Sequence, residues 1–212
     1  MRRLVLDNDL FFLLSASGLL DPWLDYIGIP YKDVFVQTSL FHILKKRSGK
    51  LCRLHSGELI NKAHEDVKKF NPLPVQENEL VNAYSEIDDI DNGEAQIFAF
   101  VSSCDAIYAG TNDKRSLKAL SQRTELSGAL KGRVYCLEII IYQLICKYGW
   151  QIVNQKISLM RCVEKRDGGK FDRTLSVLFS ERQPSEDETL DGLRSCLRDI
   201  SSRFGLLLVP LA

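Results

Sequence analysis

The chain predicts an α/β fold, a central parallel sheet flanked by helices, with a mainly helical C-terminal extension. Up to about residue 150, short apolar runs alternate with longer segments at helical spacing, the order that βαβ units produce. Two of those runs lead into acids: Val5 and Leu6 into Asp7, and residues 106–109 into Gly110 and Asp113. The carboxyl ends of strands are where an open parallel sheet binds ligands. Beyond residue 151 the apolar residues fall mainly at helical spacing.

In chain order, residues 3–7 read as a short buried strand. Residues 10–20 are helical with a break at Ser17-Gly18, and Asp21-Pro22 opens a further helical segment through Tyr26. Residues 34–37 form a second short strand and 38–46 a helix. Ser56 suits the N-cap of a helix to Phe70 that buries Leu59, Ile60, Ala63, Val67 and Phe70, and Asn71-Pro72 stops it. Residues 77–87 are helical, with Leu80, Val81, Tyr84 and Ile87 inward. Asp91 opens another helix through Ser103. A strand over 105–110, a helix over 114–123, a strand over 132–136 and a helix over 137–147 follow. In the tail, 151–162 is helical, 164–170 with Gly168-Gly169 is a turn, and 171–179 is a short helix. Ser185 and Glu188 form a capping box for a helix through Phe204 that buries Leu190, Leu193, Leu197 and Ile200. Residues 206–211 add a strand or pack down.

With 212 residues, one large domain or a domain with a small appendage is expected. The division drawn from the pattern is 1–151 and 152–212, the second part a helical extension able to pack on the first. A content of 45% hydrophobic and 26% charged residues suits a globular protein with a real core. No apolar stretch nears the roughly 20 residues of a membrane span, and Asp7 and Asp9 interrupt any signal-peptide core. The six cysteines lack Cys-x-x-Cys or zinc spacing, so reduced, mostly buried thiols in a cytoplasmic protein are expected. Only His42, His55 and His64 are present, which weakens any His-based triad.

Three acidic islands hold the chemistry: Leu6-Asp7-Asn8-Asp9, Asp91-Asn92-Gly93-Glu94 and Thr111-Asn112-Asp113-Lys114. Gathered carboxylates repel one another and coexist through a divalent cation or protons. Net charge is zero, yet residues 71–113 contain no Lys or Arg. Basic residues flank this acidic centre, with Lys45, Lys46 and Arg47 before it and Lys114 and Arg115 after it. That layout suits cations at the centre and a phosphate backbone on the rim, or else solvated helix faces. Asp91 and Glu94 also fit a helix N-terminus, and Asp9 fits an N-cap as well as a ligand. Asp7 has the stronger case, because a carboxylate directly after a buried strand is costly without a partner. Asp113 is similar, with Thr111 and Asn112 as hydrogen-bonding neighbours. Lys114 and Arg115 contact phosphate or are solvated first-turn residues.

In their order and separation, these motifs resemble PIN-domain proteins, particularly the bacterial toxin-like branch. Leu-Val-Leu-Asp-Asn-Asp followed by Leu-Phe-Phe-Leu-Leu-Ser-Ala-Ser-Gly-Leu-Leu-Asp is similar to the family's opening strand and helix. Ile-Asp-Asn-Gly-Glu-Ala resembles its second acidic motif, and Ala-Ile-Tyr-Ala-Gly-Thr-Asn-Asp-Lys its later strand ending in Thr-x-Asp. The resemblance covers roughly 1–151. It implies a PIN-like three-layer α/β/α fold and a nuclease that cuts single-stranded RNA with Mg²⁺ or Mn²⁺. By this likeness Asp7, Glu94 and Asp113 are catalytic and bind metal, with Asp9 and Asp91 as further ligands. Thr111 and Asn112 are accessory residues, and Lys45, Lys46, Arg47, Lys114 and Arg115 contact nucleic acid. The family normally supplies another Glu from the helix after the second strand; His42 stands there, as an accessory ligand or a packed side chain. A toxin or defence role, a small antitoxin-like partner and a homo-oligomer suit the likeness. Two other readings compete. One is a PIN-like shell that binds nucleic acid or protein without catalysis. The other is a haloacid-dehalogenase-like phosphatase using Asp7-Asn8-Asp9, against which Phe11 stands where Thr or Val is wanted.

Overall fold

Five short strands make one sheet in the computed structural model, which describes residues 2–180, 182 and 184–210. They are β1 (Arg3–Leu6), β2 (Val34–Val36), β3 (Asn71–Pro72), β4 (Ile107–Gly110) and β5 (Val134–Tyr135), ordered β3-β2-β1-β4-β5 with every pairing parallel. β1 is central, and its Leu4, Val5 and Leu6 are completely buried. Its uninterrupted apolar run is what a strand covered on both faces requires. The chain leaves β1 toward β2 and later returns to β4 on the opposite side. A crevice therefore opens beyond the carboxyl ends of β1 and β4, at the point where the strand order reverses.

Thirteen helices accompany the strands among the described residues. α1 (Asn8–Ser17), α2 (Leu20–Ile27), α3 (Thr38–Lys46), α4 (Gly49–Leu54) and α5 (Gly57–Val67) come first. α6 (Glu79–Ser85), α7 (Asn92–Ser102), α8 (Lys114–Ser121) and α9 (Thr124–Ser127) follow. α10 (Leu137–Tyr148), α11 (Trp150–Asp167), α12 (Arg173–Leu178) and α13 (Glu186–Phe204) complete the chain. α7 packs on β4 with α6 against it, while α1 packs with α5 and α11. This is the predicted α/β architecture, a three-layer arrangement with helices added at the C-terminal side. The extension shares its apolar side with the rest: Val153, Ile157, Met160, Leu193, Leu197 and Phe204 belong to the same buried cluster as β1. No described helix is by itself long and apolar enough to cross a membrane.

Several elements differ from the sequence reading. The helix capped by Ser56 ends at Val67, and Asn71–Pro72 forms an edge strand on β2, where proline is tolerated because no neighbour lies beyond. The expected turn at 164–170 is helical through Asp167, and α11 stops at left-handed Gly168. Buried Glu164 anchors that last turn, its carboxylate accepting from the Ser56 amide at 3.0 Å. α4 had no counterpart in the expectation. In the apolar 206–211 tail, Leu208 makes a single parallel bridge to Val134, and Leu211 lies outside the described residues. No cysteine is paired in a disulfide, and of the six only Cys136 is buried, so most of the thiols are at least partly exposed, against the expectation of buried ones.

Candidate functional site: an acidic cleft at the carboxyl edge of the sheet

β1 delivers Asp7 and β4 delivers Asn112 and Asp113 to one cleft of about 680 Å³. Parallel pairing sets Leu6 beside Gly110, and the Asp7 amide donates to the Gly110 carbonyl at 2.9 Å. Asp7 is the N-cap of α1, accepting from the Leu10 amide at 2.6 Å through Oδ1. Asp9 therefore does not cap; it is exposed in the first turn and lines the cleft. Asp7 Oδ2 accepts from the Thr111 hydroxyl at 2.5 Å and the Asn112 amide at 2.9 Å. Burial raises the Asp7 carboxyl to about 6, against the lowering effect of these donors and with a small upward push from Asp9. Gly110 is needed for this close approach, since a Cβ there would stand 2.5 Å from Leu6 Cδ2.

The helices bring the other acids. Asp91 and Glu94 form a complete capping box on α7: the Glu94 amide donates to Asp91 Oδ1 at 2.8 Å, and the Asp91 amide to Glu94 Oε2 at 3.0 Å. The capping role and a place in the cleft coexist, because both residues line it. Burial raises Glu94 to about 7, helped by the charges of Asp113 and Asp91. Asp113 caps α8, accepting from the Arg115 and Ser116 amides at 2.8 and 3.2 Å. Burial opposes its charge, but those amides and the Arg115 guanidinium outweigh it and hold the carboxyl below its ordinary value. One cleft thus contains two carboxyls that resist ionisation and one that favours it.

Lys114 and Arg115 line the cleft as expected, but Lys114 is largely committed. Its ammonium lies 2.5 Å from Asn112 Oδ1, and 2.9 Å from Glu138 Oε2 at an ion-pair distance outside hydrogen-bond direction. Glu138, buried in the first turn of α10, was missed by the sequence reading, as were Asp172 and Arg173 from the extension, which complete the cleft wall. Asp172 caps α12 and accepts from Asn112 Nδ2 at 3.3 Å. An Asp before a short helical run was the only signal for it.

Other expected residues lie elsewhere. His42 is exposed on α3 and does not line the cleft. Gln37, preceding that helix, does, with its side-chain oxygen accepting from Asn8 Nδ2 at 3.0 Å. Lys45, Lys46 and Arg47 are exposed at the far end of α3, and Arg47 bonds Asn61 at 2.6 Å. Among the described residues no three His, Cys, Asp or Glu side chains converge as a ready-made metal cluster. Compared with protein-family models, with curated proteins and with solved structures, the chain matches none.

Proposed function

We propose that the cleft is the active site of a PIN-type nuclease that cleaves single-stranded RNA with Mg²⁺ or Mn²⁺. The observation that carries this reading is the meeting of Asp7 and Glu94, both buried and both resisting ionisation, with Asp9, Asp91, Asp113 and Asp172 around one cleft. Such a group favours whatever neutralises it, and a cation does so without protonation. The donors fit a hard ion, being carboxylate and amide oxygens, and the buried Asn8 Oδ1 has no hydrogen-bond partner. Asp7, Glu94 and Asp113 would hold the ion, with Asp9 and Asp91 beside them.

Bound metal would supply acidified water and charge stabilisation for phosphodiester hydrolysis. The chain's residues perform the positioning. Thr111 and Asn112 fix Asp7, the Asp91 amide fixes Glu94, and Lys114 fixes Asn112. Arg115 and Arg173, which line the wall, would contact backbone phosphates. A role as toxin or defence effector in the cytoplasm, with a small antitoxin-like partner, belongs to the same proposal and rests on the resemblance alone.

A second reading is a nucleic-acid- or protein-binding module without catalysis. The exposed position of His42, where the family's further Glu would stand, favours it. Thermal melts with and without millimolar Mg²⁺ or Mn²⁺ separate the two. The nuclease reading expects metal to raise the Tm of the wild type by mass action and expects Glu94→Gln and Asp113→Asn to lose that rise. Equal melting temperatures for the wild type in both conditions favour the binding module.

A further inference from the structure

A smaller pocket of about 190 Å³ adjoins the acidic cleft, and Asp9, Asn112 and Asp172 line both. Its wall contains His55, Lys50, Lys170, Phe171 and the apolar Leu13 and Leu54. His55 is built in from behind: its Nδ1 lies 2.6 Å from Glu164 Oε1, and its ring packs 4.2 Å from that of Phe12. The Glu164 side chain is only 3% exposed, and its other oxygen accepts from the Ser56 amide at 3.0 Å. A buried carboxylate holding Nδ1–H fixes the ring and leaves Nε2 as its remaining polar atom. Gly169 permits this packing, because a Cβ there would overlap the Glu164 carboxylate. Phe171 is also fixed, with the Arg161 guanidinium 4.8 Å over its ring. Lys50 and Lys170 are exposed and enter no ion pair among the described residues.

We propose that this side pocket is a nucleotide subsite, which receives one base of single-stranded RNA against Phe171 and His55 while Lys50 and Lys170 hold the adjoining phosphate. The proposal rests on the nuclease reading of the neighbouring cleft. An aromatic ring takes any base by stacking, and two unpaired ammonium groups beside it supply the matching charge. His55 gives the base edge a fixed hydrogen-bonding partner. The buried His–Glu pair also anchors the end of α11, lies outside the acidic cleft, and is not used by the hydrolysis described above.

The test is fluorescence anisotropy in EDTA, which prevents cleavage, with short labelled RNA strands carrying one abasic position moved along the strand. One abasic register should weaken binding by about tenfold, the usual effect of losing one stacked base. Phe171→Ala should weaken binding of intact RNA similarly and abolish the abasic effect. Lys50→Ala with Lys170→Ala, both on the surface, should reduce affinity and flatten its salt dependence. His55→Gln should weaken only intact strands. Wild-type binding that no abasic register and none of these variants changes overturns the subsite while leaving the nuclease proposal standing. No binding in EDTA by a wild type that still cleaves with Mn²⁺ overturns the subsite alone, and neither binding in EDTA nor cleavage with Mn²⁺ overturns both. Metal-dependent cleavage without any abasic effect also overturns the subsite alone.

Discussion

Glu94 and Asp7 make the charge state of the cleft measurable. Their carboxyls stand at about 7 and about 6 in the folded protein, above their ordinary values of 4.5 and 3.8. A raised acid contributes stability that is fully present below its unfolded pKa and is lost as pH rises through the folded value. Metal-free protein should therefore lose stability from this pair between about pH 4 and pH 7. Glu94→Gln keeps the capping box, since Gln also accepts from the Asp91 amide. Relative to the wild type it should gain about 3 kcal/mol between pH 4 and pH 8 in urea unfolding with EDTA; parallel curves would mean that Glu94 is not held back from ionising. Asp7→Asn should behave differently and destabilise by about 1–3 kcal/mol. Both Asp7 oxygens accept from amides or a hydroxyl, so the new NH₂ must face a donor whichever way it turns. The same unfolding experiment checks this, and an unchanged midpoint would contradict it. Asp7 and Asp113 are legible because each follows an apolar strand, and Glu94 because its box is written in four consecutive residues. Glu138 and Asp172 are not, because only tertiary packing of α10 and α12 brings Glu138 to Lys114 and Asp172 to the cleft wall. His42 and Gln37 show the same limit: helical spacing identifies α3 but not which of its ends meets the site.

At the scale of elements, the contact between α7 and the start of α3 shapes the cleft. A Cβ on Gly93 would stand 2.5 Å from Gln37 Nε2, the side chain that also bonds Asn8. Ala in an exposed helix is favoured over Gly by up to about 1 kcal/mol, so Gly93→Ala should leave stability nearly unchanged. It should still weaken the Mn²⁺-induced rise in Tm, because Gln37 is pushed away from Asn8. A metal response equal to the wild type would show that this contact does not shape the site. Helices with strong local signals were readable: the capping boxes of α7 and α13 and the Gly18 end of α1 are where the sequence puts them. β3 was not, because two residues carry no periodicity and Asn71-Pro72 looks like a terminator. The last turn of α11 was not either, because Gly168-Gly169 reads as a turn, while the tertiary bonds of Glu164 to His55 and Ser56 anchor the helix up to it.

Across the whole molecule, the C-terminal helices and the sheet form one buried cluster, and the tail pairs with β5 through Leu208 and Val134. A chain ending at residue 151 should therefore expose the partners of Val153, Ile157 and Met160 and show no cooperative melt by circular dichroism. A sharp transition for that fragment would make the extension a separate unit. The alternation of strands and helices made the sheet predictable, whereas the strand order and the extension's share of the cleft wall depend on long-range packing that no local pattern encodes. The central claim is that this cleft cleaves RNA with a metal. It is tested most directly by incubating 5′-labelled single-stranded RNA with the wild type, Asp7→Asn and Glu94→Gln, each with Mn²⁺ and with EDTA. The expected result is cleavage by the wild type with Mn²⁺ alone and a loss of at least about a hundredfold in both variants, the scale on which removing a group that stabilises transition-state charge acts. Intact RNA in the wild-type lane with Mn²⁺, or equal cleavage in EDTA, would contradict the account.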